Sequence, residues 1–106
     1  MVAAIKGLEA FTKHIGQSKP TIIDFWATWC GPCKVISPKF EAMSSEFPGV
    51  QFLKVDVDEE PEIAQENNIR AMPTFIVYKD GAKVDQVVGA DATKLRQAIE
   101  KVAASA

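Results

Sequence analysis

The chain switches repeatedly between two hydrophobic periods, and that switching is what most narrows its possible folds. Val2-Ala3-Ala4-Ile5 reads as a short first strand, and Leu8, Phe11 and Ile15 then recur at helical spacing, placing a first helix over residues 7–15. Thr21 to Ala27 (TIIDFWA) is β-branched and aromatic and follows Pro20, so it reads as a strand. Ile36, Phe40, Met43 and Phe47 form the apolar stripe of a second helix that stops at Pro48-Gly49, with Pro38 expected to kink it. Val50 to Val57 is the next strand. Pro61 opens a short helix whose acidic start, Asp58 to Glu62, suits the helix dipole. Thr74–Lys79 and Ala82–Val88 are two strands joined at Asp80-Gly81, a strong hairpin signal. Ala92, Leu95, Ile99 and Val102 mark a last helix. The order is β-α-β-α-β-α-β-β-α. It predicts an α/β fold: a central mixed five-stranded sheet, parallel early and antiparallel at the hairpin, flanked by four helices.

With 106 residues the chain is expected to be a single domain, residues 1–106, large enough for a core without staples. Its net charge of −2 gives no basic face for nucleic acid. No apolar run approaches the ~20 residues of a membrane helix. The start, MVAAIKGLEAF, has neither the apolar segment of a signal peptide nor the arginines of a transit peptide. A cytoplasmic location is therefore expected, where thiols stay reduced.

In that setting the only two cysteines stand out, in Trp29-Cys30-Gly31-Pro32-Cys33-Lys34. Structural zinc needs four ligands as a rule, and here His14 is the only histidine, so no metal is expected. A bridge across two residues closes almost no loop and would stabilise little. Two inert buried thiols would not need a Gly-Pro turn between a strand end and a helix start. A reactive dithiol does. At a helix N-terminus, free N–H groups and the dipole favour a thiolate, and a lowered pKa makes a cysteine competent to attack. Cys30, nearer the exposed end, is expected to be the nucleophile. Cys33, one turn in, is expected to be the more buried, resolving thiol.

Two charges interrupt otherwise apolar strands. Asp24 lies between Ile22 and Trp26, and Lys54 between Phe52 and Asp56. On a sheet covered on both faces these are costly unless they are paired or used. A compensating ion pair is one reading. The other is that buried Asp24 titrates near neutral pH and handles the Cys33 proton. Trp26 is expected to pack below the site, and the run Asp56–Glu62 to be a solvated loop and helix start.

From TIIDFWATWCGPCK through Met72-Pro73-Thr74-Phe75 to Lys79-Asp80-Gly81 and Val88-Gly89-Ala90, the sequence resembles the thioredoxin family over essentially its whole length. The resemblance implies the thioredoxin fold and a general protein-disulfide reductase using Cys30 and Cys33. It implies no bound cofactor: NADPH acts indirectly, through thioredoxin reductase. The implied partners are that reductase and disulfide-containing proteins such as peroxiredoxins and reductases, with the chain acting as a monomer. Asp24 matches the family's buried aspartate, Lys54 its lysine partner and Pro73 its cis-proline. Trp29, Gly31, Pro32, Met72, Thr74, Val88, Gly89 and Ala90 match its substrate-contacting surface, where the backbone at Met72 would pair with a substrate strand. The Gly31-Pro32 dipeptide argues against an oxidase or isomerase of the same fold. A rival of another class is a non-catalytic thioredoxin-like subunit that stabilises a partner. With Ala71 rather than a cysteine before Met72, no regulatory third thiol exists. The overall pattern resembles eukaryotic cytosolic and fungal members of the family, some of which are cross-reactive allergens.

Overall fold

A computed structural model describes residues 2–105. Five strands and four helices alternate in the expected order: β1 (Ala3–Ala4), α1 (Leu8–Ile15), β2 (Thr21–Trp26), α2 (Gly31–Glu46), β3 (Gln51–Asp56), α3 (Pro61–Glu66), β4 (Thr74–Lys79), β5 (Ala82–Val88) and α4 (Ala92–Ala104). The sheet order is β1-β3-β2-β4-β5. β3 runs parallel to β1 and β2, while β2–β4 and β4–β5 are antiparallel. Three strands are shorter than the sequence reading. β1 is in register with β3 at Ala3 and Ala4, and the Ile5 N–H beyond them donates to the Lys54 carbonyl at 2.9 Å. Val50 and Val57 flank β3, each held by a backbone bond to Phe47 or Trp26 rather than lying inside the ladder. Ala27 leaves β2 because its carbonyl turns to accept from the Cys30 N–H at 3.2 Å.

The period of two sorts β2 and its neighbours onto opposite faces of the sheet. Ile22, Phe52, Phe75 and Val77 join the buried residues of α2 and α4 in one core. Ile23, Phe25, Leu53 and Ile76 join Phe11 of α1 and Ile63 of α3 in the other. Asp24 and Lys54, in register with each other on β2 and β3, share the first face by the same alternation. α2 continues through Pro38 to Glu46, and Phe40 anchors it to the sheet, 5.1 Å from Phe52 and 5.3 Å from Phe75 between ring centroids. Phe40→Ala is expected to cost about 3–5 kcal/mol, read as a lower urea midpoint with an unchanged slope.

The β4–β5 turn has positive φ at Asp80 (54°) and Gly81 (83°), which two-residue hairpins of this hand require. Its N–H groups bond to Gln17 and Ile15, so the hairpin tip is pinned to the end of α1. The consequence is at the far end: β2 is held between the two cores and α2 packs on one of them, so the turn joining them presents Cys30, and Cys33 follows in the first turn of α2.

Candidate active site

Cys30 is the N-cap of α2, with Gly31 and Pro32 opening the helix. Pro32 costs nothing here, because the first N–H groups of a helix have no intrahelical partner. The Cys33 N–H donates to the Cys30 sulfur at 3.2 Å. Any negative charge on that sulfur therefore meets both a backbone donor and the positive end of a 16-residue helix. The two cysteines are joined as a disulfide, their Cα atoms 5.3 Å apart. Both are buried, Cys30 to 4% exposure and Cys33 to 1%. The asymmetry has the expected direction but is small. In the oxidised pair, Cys30 is drawn into a cluster with Ala27 and Cys33 on which Trp26, Val57 and Met72 pack.

The Met72–Pro73 peptide bond is cis, and Thr74 opens β4 next to it. The Gly89 N–H donates to the Pro73 carbonyl at 2.8 Å, and Thr74 faces Val88 in register. Gly89 has φ 98°, a conformation that favours glycine. Pro73, Thr74, Val88 and Gly89 thus form one unit, and Met72 links it to the cysteines. Ala90 is exposed beside it, as are Gly31 and Pro32 beside Cys30. Trp29 and Val88 are among the few large apolar residues in contact with solvent, at 66% and 54% exposure.

Asp24 is fourth of the six residues of β2, deeper than the strand end, and 2% exposed. Burial pushes its carboxyl up to about 7, with the Lys54 charge pulling the other way. The two charges do not form a contact pair. The ion pairs among the described residues are Lys6–Glu59 and Arg96–Glu46, both on the surface. The Lys54 ammonium instead lies 5.9 Å from the centre of the Trp26 ring. Asp24 Oδ1 and Trp26 Nε1 are both buried without a protein hydrogen-bond partner.

Two contributions escape the sequence reading. The Trp29 indole N–H donates to Asp58 Oδ2 at 2.9 Å. Asp58 is held in turn, since Asp56 Oδ1 accepts from the N–H groups of Asp58 and Glu59. The acidic run is therefore a brace for the exposed tryptophan as well as a helix start. Nothing local in the sequence links two side chains 29 positions apart. The second is Trp26, which engages Lys54 besides packing. His14 lies away from the site, its ring 3.4 Å from the Gln51 amide. Among the described residues no group of His, Cys, Asp and Glu is arranged to hold a metal ion, and no helix is long and apolar enough to cross a membrane.

A helix-capping dithiol that closes to a disulfide, beside a cis-proline and the exposed apolar side chains of Trp29 and Val88, defines a thiol-disulfide oxidoreductase. The thioredoxin family profile matches residues 2–101. Thioredoxin of Coprinus comatus is 52% identical over 103 residues, covering 95% of this chain and 97% of that protein. Thioredoxin of Malassezia sympodialis is 55% identical over 100 residues, covering 92% and 95%. The crystal structure of the Malassezia sympodialis thioredoxin superposes with a TM-score of 0.94 at 51% identity, over 97% of this chain and 91% of that one. The chain belongs to the thioredoxin family, and its Cys30–Cys33 pair makes it a disulfide reductase.

Proposed function

We propose that residues 1–106 act as one monomeric, cytoplasmic domain that passes electrons from NADPH, through thioredoxin reductase, to disulfides in other proteins. The observation that carries this reading is the Cys30 sulfur capping α2 within reach of the Cys33 N–H. Cys30, as thiolate, attacks a substrate disulfide. The substrate S–S bond breaks, one substrate thiolate leaves, and a mixed disulfide forms. Cys33 then gives its proton to the Asp24 carboxylate and attacks the Cys30 sulfur. That releases the second substrate thiolate and leaves Cys30–Cys33 oxidised, two electrons having passed to the substrate.

Lys54 sets the electrostatics around Asp24. Pro73 shapes the wall beside the cysteines. Trp29, Gly31, Pro32, Met72, Thr74, Val88, Gly89 and Ala90 form the surface against which a substrate strand lies. Met72 stands just outside the β4 ladder, where main-chain pairing gives affinity without sequence preference. Apolar exposure at Trp29 and Val88 suits a reductase that accepts many partners. Peroxiredoxins are one such class: a yeast structure with a TM-score of 0.91 and 40% identity concerns thiol resolution of a 1-Cys peroxiredoxin through the glutathione and thioredoxin systems. The Malassezia sympodialis structure is described as that of a member of a pan-allergen family, and its 51% identity to this chain supports reading the chain as an allergen candidate.

The test is NADPH consumption with thioredoxin reductase and insulin as the disulfide substrate. The expected result is NADPH oxidation that tracks insulin reduction and requires this protein. A folded protein that dithiothreitol reduces but the reductase leaves oxidised would overturn the NADPH pathway.

A further inference from the structure

We infer that Trp26 is a positioning residue for the proton step: its indole face holds the Lys54 ammonium off the Asp24 carboxyl, leaving that carboxyl without an ion-pair partner. The inference rests on the reading in which Asp24 serves Cys33, and adds how Asp24 is kept available.

The geometry is a competition for one cation. Asp24 and Lys54 are in direct register on adjacent parallel strands, and Trp26 is two residues along β2 on the same face. From that position Lys54 can reach a carboxylate beside it or a ring diagonal to it. Its ammonium stands 5.9 Å from the ring centroid, within the range where the negative face of an indole attracts a cation, and not within 4.0 Å of the carboxylate. Tryptophan offers the strongest such face of the aromatic side chains. Asp24 Oδ1 is left with no protein partner.

Among the described residues no other charge is placed to play this part. Asp56, the register partner of Trp26, has its carboxylate engaged by the Asp58 and Glu59 N–H groups. Across β4 the partner of Asp24 is Phe75. From α2, Lys34 and Glu41 line a cleft of about 490 Å³ shared by Trp26 and Cys33; both are exposed, and Glu41 accepts from the Val2 N–H. Among the described residues the Lys54 charge is the one that opposes the effect of burial on Asp24. The arrangement has a chemical use. A carboxylate locked in an ion pair is a poor base near neutral pH, whereas one that binds its proton near the working pH can take and return it.

The test is the Asp24 titration, followed by carboxyl-carbon NMR on the oxidised protein so that Cys33 does not titrate. Trp26→Leu frees Lys54 to pair with Asp24, and the midpoint is expected to fall by about 1 unit or more. Trp26→Phe, with a weaker face, should give a smaller fall in the same direction and serves if the leucine variant does not fold. In a Lys54→Met background both substitutions should leave the midpoint where Lys54→Met alone puts it. An equal fall with and without Lys54 would mean that the ring acts only by excluding water, and no fall in either background would remove its influence altogether; either overturns the inference. The readout needs no turnover, so it stands apart from whether Asp24 is the base. That is read from the pH profile of the Cys33 step, expected to move to lower pH in Trp26→Leu only when Lys54 is present.

Discussion

Cys30→Ser is expected to abolish disulfide reduction, with kcat/KM falling on the order of 10³-fold or more, while Cys33→Ser still reacts once and then stops. The reason is the difference between the two sulfurs. Cys30 caps α2 and has the Cys33 N–H 3.2 Å from its sulfur, so its thiolate is the stabilised one. Serine in its place keeps the cap but offers a hydroxyl that hardly ionises at neutral pH. Cys33 lies inside the first turn, slightly more buried than Cys30 (1% against 4% exposure), and its sulfur has no such donor but stands within bonding reach of the Cys30 sulfur. Neither variant should unfold, because a bridge spanning two residues constrains the unfolded chain little. Turnover with a dithiol donor and insulin, alongside thermal melts, checks both statements.

Asp24→Asn is expected to stabilise the protein at alkaline pH and slow the reaction. Folding carries the Asp24 carboxyl from its ordinary 3.8 to about 7 because burial penalises its charge. Between those values the folded state holds a proton that the unfolded state has lost. The contribution of Asp24 to stability is therefore fully present below about pH 4 and declines until pH passes 7. At ~1.4 kcal/mol per unit, the whole decline is about 4 kcal/mol. Asp24→Asn removes it, so urea unfolding at pH 8 should show a gain approaching that size, and at pH 4 almost none. A gain independent of pH would mean that Asp24 is not charged by titration in the fold. In the proposed mechanism the same substitution removes the base for Cys33. Release from the mixed disulfide should slow on the order of 10²-fold near neutral pH, less at high pH where Cys33 ionises unaided. Stability given up at a residue and recovered as rate is common at functional sites.

How far the sequence carries depends on the range of the interaction. The element order follows from local signals: Leu8, Phe11 and Ile15 for α1, the β-branched run before Trp26 for β2, Asp80-Gly81 for the hairpin. The placement of Cys30 at a helix start follows from the same kind of signal, since Gly31-Pro32 separates strand from helix. Strand ends are less well marked. Val50 and Val57 carry the composition of a strand, and only the backbone bonds to Phe47 and Trp26 place them outside the ladder. Interactions between distant segments are the least visible. Asp24 and Lys54 announce themselves as charges in apolar strands, but whether they touch depends on register and on a third side chain. Here the register sets them side by side, yet the Lys54 ammonium lies over the Trp26 ring and not in contact with the carboxylate. Likewise Asp56 to Glu62 reads as a solvated acidic turn until the fold brings Asp58 against Trp29.

The most direct test of the dithiol mechanism is to mix Cys33→Ser and, separately, Cys30→Ser with a disulfide-bonded peptide and weigh the products by mass spectrometry. The account predicts a one-to-one peptide adduct on Cys30 in the first protein and no adduct on Cys33 in the second over the same time. An adduct forming on Cys33 as fast as on Cys30, or no adduct on either, would contradict it.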